Sequence, residues 1–389
     1  MWRALRRRDV FLQYDGRVRN LSLFAGILLT LSCAQAADPL VYVGTYTRGG
    51  SRGIYAFRFN AADGKLTSLG VAAETASPSF LAEHPNHKFL YAVNESNGVG
   101  SVSAFAIDAA SGKLTPLNSV SSGGNGPCHL ALDKTGKWLL AANYGDGTMA
   151  VIPVHPDGKL GEAVSVEKHT GSGALKQRQA GPHAHEVVFS PDYRYLLLAD
   201  LGLDKIFVYK FDSATGKLTP NDPPSGSVAP GAGVRHFVFH PNGRTLYAID
   251  EINSTVTSFH YDPAKGSLES FQSVSTLPEG FKGSNSTAEI AINRAGTRVY
   301  GSNRGDDSIA LFSVDPAKLT LTPMDRTSVM GKTPRHFTLD PTGKYLLAAN
   351  QDSSDITIFK VHPNSGQLTP VGQPVKDAPV PVCILFVGK

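Results

Sequence analysis

Arg235-His236-Phe237-Val238-Phe239-His240 is followed by the turn Pro241-Asn242-Gly243 and then by Arg244-Thr245-Leu246-Tyr247-Ala248-Ile249-Asp250. Two apolar runs rich in aromatic and β-branched residues flank a turn in which Asn-Gly supplies positive φ, which is a strand, a tight turn and a second strand. Thr255 to Tyr261 alternates as a third strand, and Leu268 to Val274 reads as a fourth.

This unit recurs. Second strands of the same type are Phe89-Leu90-Tyr91-Ala92-Val93, Trp138-Leu139-Leu140-Ala141-Ala142, Tyr195-Leu196-Leu197-Leu198-Ala199 and Tyr345-Leu346-Leu347-Ala348-Ala349. A Gly-Lys-Leu-Thr marker accompanies them, at Gly64, Gly112, Gly158, Gly216, Gly266, Lys318-Leu319-Thr320 and Gly366. From Gly64 to Gly366 is 302 residues in six steps, a period of about 50. A repeat of that length with several short strands per unit is the pattern of a β-propeller. The chain opens on Leu40-Val41-Tyr42-Val43-Gly44, a second strand with no first strand before it. It finishes on Pro381-Val382-Cys383-Ile384-Leu385-Phe386, a first strand with no unit after it. The expected fold is therefore all-β: a seven-bladed propeller of four-stranded antiparallel blades, with the ring closed by the N- and C-terminal strands in one blade. Closure of that kind removes open sheet edges. No linker interrupts the pattern, so residues 37–389 read as one domain.

Residues 1–36 read as a signal peptide. Arg3, Arg6, Arg7, Arg8, Arg17 and Arg19 form a basic region, Leu21 to Leu31 is apolar but too short to span a bilayer, and Ala34-Gln35-Ala36 offers a small-x-small cleavage site. The alternatives are an uncleaved anchor, or a lipoprotein through Cys33, for which Thr30-Leu31-Ser32 is a poor match. The expected location is periplasmic or secreted. Cleavage removes six Arg and two acids, which takes the formal +4 to about 0. No global field then remains to attract nucleic acid or an anionic membrane. Cys128 and Cys383 fall in non-adjacent blades, which argues against a disulfide, and no Cys/His spacing suggests structural zinc.

First strands line a propeller's channel, and their starts meet the ends of the second strands on one face. That mouth collects Ser79, Cys128, His129, His185, Glu186, Arg235, His236, Glu289, Arg335 and His336 from first strands. From second strands it collects Asn94, Glu95, Asn143, Tyr144, Asp200, Asp250, Glu251, Asn303, Arg304 and Asn350. Arg offers paired donors to an anion and His can act as base near neutrality, so the mouth suits a small anionic substrate. The step from Gly158 to Gly216 is 58, and its extra residues, His169 to Gln179, precede the His183/His185 strand. Long loops on a rigid scaffold often carry binding. A calcium in the channel is possible for a propeller, but Arg235, Arg304 and Arg335 at the same mouth would repel a cation. No metal or organic cofactor is expected. The opposite face carries ordinary turns. There is no Gly-x-Ser-x-Gly elbow and no glycosidase-like carboxylate pair.

Val41-Tyr42-Val43-Gly44-Thr45-Tyr46-Thr47, Tyr91-Ala92-Val93-Asn94-Glu95, Ala142-Asn143-Tyr144, Arg178-Gln179 with Pro182-His183-Ala184-His185, Asp200-Leu201-Gly202-Leu203-Asp204, Arg235-His236, Ala288-Glu289-Ile290 and Ser302-Asn303-Arg304-Gly305 resemble, in order, the seven-bladed lactonase family. That family includes propeller-type 6-phosphogluconolactonases and a carboxy-muconate lactonising enzyme. Val234 stands where the family usually has Pro. The resemblance implies hydrolysis of a sugar lactone, 6-phosphogluconolactone or a related aldonolactone, to the sugar acid. It also implies four catalytic positions. His185 would be the general base, Arg235 and Arg304 would hold the oxyanion or an anionic group, and Glu251 would orient an Arg or the His. Candidates for substrate contact are Glu95, His129, Tyr144, Arg178, His183, His236, Glu289 and Arg335. An exported protein meets an unphosphorylated aldonolactone more readily than the cytoplasmic phosphorylated one. The other readings are a muconate-type cycloisomerase and a non-catalytic binding propeller. The expected assembly is a monomer or weak dimer.

Overall fold

The computed structural model describes residues 38–95 and 98–388; the segment read as a signal peptide lies outside them. The described residues form seven four-stranded antiparallel sheets and contain no helix. The fifth sheet is the unit read first: Val234–Phe239, Thr245–Asp250, Thr255–Asp262 and Ser267–Ser275, in that spatial order. Numbered along the chain, this is blade 5. Blade 1 holds both ends, with Pro381–Phe386 paired antiparallel to Leu40–Thr45 from Val41 opposite Phe386 to Thr45 opposite Pro381.

The core is not one mass but seven clusters, each filling the seam between two adjacent blades. Second strands are buried on both faces, which is why they read as continuous apolar runs. Tyr91, Tyr247, Tyr300, Phe57, Phe259, Phe312 and Phe359 are wholly buried in these seams. Full burial of one such Phe contributes roughly 1.5–3 kcal/mol.

The repeated glycine marker has a physical cause. It turns the chain into the outermost strand with positive φ, +73° at Gly216 and +66° at Gly266. A Cβ there would also meet the aromatic ring of the preceding blade: Trp138 at 2.7 Å from Gly216, Tyr195 at 2.6 Å from Gly266. Buried tyrosines close the same contact by donating to the marker's carbonyl, Tyr91 to Gly158 at 3.1 Å and Tyr300 to Gly366 at 2.9 Å. In blade 6 the sequence expectation needs correcting. The residue in the glycine's place is Leu319: φ is +58°, its N–H donates to Asp315 O, and Tyr247 donates to its carbonyl. The repeat there is thus Leu319-Thr320-Leu321, not Lys318-Leu319-Thr320. The apolar residue it buries is Leu321.

Cys128 and Cys383 are buried in blades 3 and 1 and form no disulfide.

Candidate active site

A strand alternates its side chains between two faces, so Arg235 and His236 ought to point apart. They do not, because the strand is bulged at that point. Val234 pairs with Asp250 and His236 with Ile249, which leaves Arg235 as an extra residue. The same shift isolates His185 between Ala184 and Glu186, Arg335 between Pro334 and His336, and Cys128 between Pro127 and His129. A bulge re-aims side chains locally. Here it lets two successive residues from one strand face the channel. The bulged residue sits at the mouth and its successor lies one residue deeper.

The mouth is organised by Glu251, which follows the second strand of blade 5. Its backbone N–H donates to Gly233 O, which fixes it beside the start of the first strand. Its Oε2 lies 2.7 Å from Arg304 Nη2 and 3.1 Å from Arg235 Nε, and its Oε1 lies 2.5 Å from Arg178 Nη2. Burial opposes its ionisation, but Arg304, Arg235 and Arg178 outweigh burial and hold its carboxyl down to about 2. Arg235 is 2% exposed. Burial, then Arg304 and Arg335, pull it down to about 10, so it remains a cation at neutral pH. Arg235 also donates to Ala288 O at 2.5 Å, and Arg304 to Thr287 O at 2.7 Å.

His185 is 4% exposed and packs against His236 (ring centroids 4.9 Å) and Tyr144 (5.7 Å). Burial, then the charge of Arg235, pushes it well below the ordinary histidine range, so the ring is neutral at pH 7, with a free lone pair. Buried atoms around this point that have no hydrogen-bond partner include His185 Nδ1, Arg235 Nε and Arg304 Nε. Arg235 Nε is close to Glu251 but off the line a hydrogen bond requires.

The other expected residues fall into three places. Tyr144 and His183 stack at 4.5 Å on the rim, with His183 Nδ1 2.8 Å from Tyr144 O. Arg178 reaches over them from the inserted segment. That segment is pinned by His169, which bridges Asp200 (2.7 Å) and Tyr209 (2.8 Å), and by Gln179, whose amide donates to Leu201 O and Asp204. Across the mouth, Glu95 accepts from the Tyr46 hydroxyl at 2.9 Å, and Arg335 lies over the Tyr46 ring at 5.4 Å. These three line a cleft of about 470 Å³ with Ser77, Arg48 and Gln351. His129, Glu186, His236, Glu289 and His336 form a separate layer deeper in the channel.

Two differences from the sequence reading stand out. Tyr46 carries a mouth contact but is not among the site residues expected from the sequence, where it appears only within the family-like run Val41 to Thr47. Conversely, most of the Asn and Asp residues at the ends of the second strands, Asp250 excepted, are clasps between blades. Asn143, Asn303 and Asn350 each donate to a carbonyl at the end of the preceding blade's outermost strand, namely Ser122, Thr276 and Val329. Asp200 makes the equivalent tie with reversed polarity, to His169. A groove of about 660 Å³ beside Asp133 and Tyr193 is on the opposite face, where the Asp133 carboxylate caps its own turn through Thr135 and Trp138.

The family model "Lactonase, 7-bladed beta-propeller" matches residues 40–386. The chain is 38% identical over 346 residues to a 6-phosphogluconolactonase of Bacillus subtilis, covering 89% of this chain and 97% of that one. Among solved structures, a putative 6-phosphogluconolactonase from Bacteroides fragilis superposes with a TM-score of 0.85 at 38% identity, covering 91% of this chain and 99% of that one. A periplasmic gluconolactonase from Pseudomonas aeruginosa superposes with a TM-score of 0.85 at 36% identity, covering 90% and 99%. Over nearly its whole described length, this chain belongs to the seven-bladed β-propeller lactonase family.

Proposed function

We propose that this protein hydrolyses a sugar lactone to the corresponding sugar acid at the mouth built around Glu251. The observation that carries the reading is the set of buried atoms there that make no hydrogen bond: a neutral imidazole nitrogen on His185 and a guanidinium N–H on Arg304 and on Arg235, the last ion-paired with Glu251 but off the hydrogen-bond line. Buried polar groups without partners are rare, and at a functional site they stand ready for a ligand. In the proposed reaction His185 takes a proton from water while the water oxygen bonds to the lactone carbonyl carbon. The carbonyl oxygen becomes an oxyanion, which Arg235 and Arg304 stabilise. The ring C–O bond then breaks, and the proton on His185 passes to the departing alkoxide. Glu251 holds the guanidinium groups in place. Among the described residues it pairs with arginines and not with His185, so the orienting role belongs to the Arg set.

The binding-module reading is disfavoured by the surface. Among the described residues, the large exposed apolar side chains, Val99, Val164, Val166, Leu175, Tyr193, Met324 and Met330, are spread over several blades and loops.

The preferred substrate in this reading is an unphosphorylated aldonolactone, with residues 1–36 as the export signal. The periplasmic gluconolactonase of similar sequence supports it. Side-by-side hydrolysis of gluconolactone and 6-phosphogluconolactone by the purified protein tests both parts. Faster turnover of the unphosphorylated lactone is expected. Hydrolysis of neither above the spontaneous rate would remove the lactonase reading.

A further inference from the structure

We propose that the channel, one residue below the mouth, binds a divalent first-row transition ion of the zinc type through His129, Glu186 and His236. These residues come from the first strands of blades 3, 4 and 5, each immediately after the bulged residue. Their candidate ligand atoms all lie within 4.8 Å of one another, and all three side chains are buried. Two imidazoles and one carboxylate, with no thiolate, suit zinc, cobalt or nickel better than calcium, which favours an all-oxygen shell.

The surroundings are those of ligands held ready. His236 Nδ1 lies 3.1 Å from Glu289 Oε2. With the ring proton on Nδ1 in that contact, Nε2 is a bare lone pair, and Nε2 is buried with no hydrogen-bond partner. A carboxylate behind a histidine is the usual way a metal-binding imidazole is oriented. Glu186 has the matching arrangement. Its Oε2 accepts the Phe237 N–H at 2.5 Å, while Oε1 has only His129 Nε2 at 3.7 Å, too far for a hydrogen bond. His129 is the ligand that must adjust. Val187 N–H donates to its Nδ1 over a long 3.4 Å, and loading would place a proton on Nδ1 and break that contact. Phe80, with its ring centroid 4.0 Å from that of His129, closes one side.

The charge balance at this depth also differs from that at the mouth. The arginines that argued against a cation sit one residue higher, where Arg235 and Arg304 pair with Glu251. Below them, the ion-pair partners of Glu186 and Glu289 among the described residues are histidines. Arg235 acts on both carboxylates from one residue above without pairing directly with either, and a divalent ion would offset the charge that remains. Such an ion would tie three blades together at the channel, and no step of the lactone reaction passes through it.

The test uses untagged protein, stripped with a chelator and titrated with Co2+ and Zn2+. The expected result is one equivalent bound per chain, an intense visible Co2+ absorption of a four- or five-coordinate site, and a raised melting temperature. Glu186→Gln and His236→Gln should weaken Co2+ binding at least ~100-fold. If those variants misfold, the native titration still decides. Failure of the native protein to take up either ion stoichiometrically, or an absorption no different from aqueous Co2+, would overturn the proposal. Undiminished uptake by folded Glu186→Gln would do so as well.

Discussion

Glu251, just past the neighbouring strand of the same blade, stands 3.1 Å from Arg235 at the channel mouth, and the same carboxylate holds Arg304 from blade 6 and Arg178 from the inserted loop. One buried anion therefore fixes three cations drawn from three parts of the chain. Removing it leaves guanidinium groups buried and unpaired, which is more damaging than losing a surface pair. Glu251→Gln, which keeps the shape, is expected to lose about 3 kcal/mol of stability. It should also lose at least ~100-fold in kcat/KM, because the oxyanion donors lose their alignment. Chemical denaturation and steady-state kinetics on the same preparation check both.

Arg178 is the exposed member of the set, with 43% of its side chain accessible. Its loop is anchored independently by His169 and Gln179. Arg178→Ala should therefore leave the melting temperature nearly unchanged and raise KM roughly tenfold, with a smaller effect on kcat. A fall in stability comparable to that of Glu251→Gln would show that Arg178 is structural.

Asp250 stands at the end of a second strand, where other blades place a clasp, but its side chain ties only to its own blade. Thr255 and Thr257 donate to its Oδ2, while Oδ1 is buried and unpaired. Burial pushes its carboxyl up from an ordinary 3.8 to about 7. Below pH 3.8 both folded and unfolded chains hold the proton. As the pH rises towards 7 only the folded chain retains it, so this group's contribution to stability is progressively lost. The loss at pH 8 is on the order of 2–4 kcal/mol. Asp250→Asn supplies the amide that Asn143, Asn303 and Asn350 use at the same position. Relative to the native protein it should gain stability as pH rises from 5 to 8. Parallel pH dependences for the two proteins would contradict this.

The two ends of the chain share blade 1, with Val41 paired to Phe386 and Gly44 to Cys383. Deleting residues 381–389 would expose Leu40–Thr45 as a sheet edge and open the seams to blades 7 and 2. Loss of cooperative thermal unfolding and a shift to oligomers on gel filtration are expected. A monomer that melts as sharply as the full chain would show that closure is dispensable.

These features were unequally legible in the sequence. The propeller could be read because the blades repeat one solution: apolar second strands buried on both faces, a tight turn before them such as Thr135-Gly136, Asn242-Gly243 or Thr342-Gly343, and a marker glycine that in several blades sits where an aromatic ring packs too closely for a Cβ. The reading slipped at Leu319, where a leucine accepts the left-handed conformation and the marker glycine is missing. The face bearing the site was also legible, since strand ends meet in pairs such as Arg235 and Glu251. The arrangement within the face was not. Bulges at His185, Arg235 and Arg335 leave no mark in a single sequence, because alternation alone would send Arg235 and His236 apart. Nor does composition separate Asn143 or Asn350, which tie blades together, from Arg304, which faces the mouth. Tyr46 was hidden because its neighbours read as plain strand.

The most direct test of the central claim is turnover of gluconolactone and 6-phosphogluconolactone by His185→Ala, compared with the native protein after subtraction of spontaneous hydrolysis. The ring packs against Tyr144 and His236 but makes no hydrogen bond through its buried Nδ1, so the variant should stay folded. The account predicts a fall in kcat of ~100-fold or more on whichever lactone is used, with a native-like circular dichroism spectrum. A folded variant with native turnover would contradict the assignment of His185 as the base.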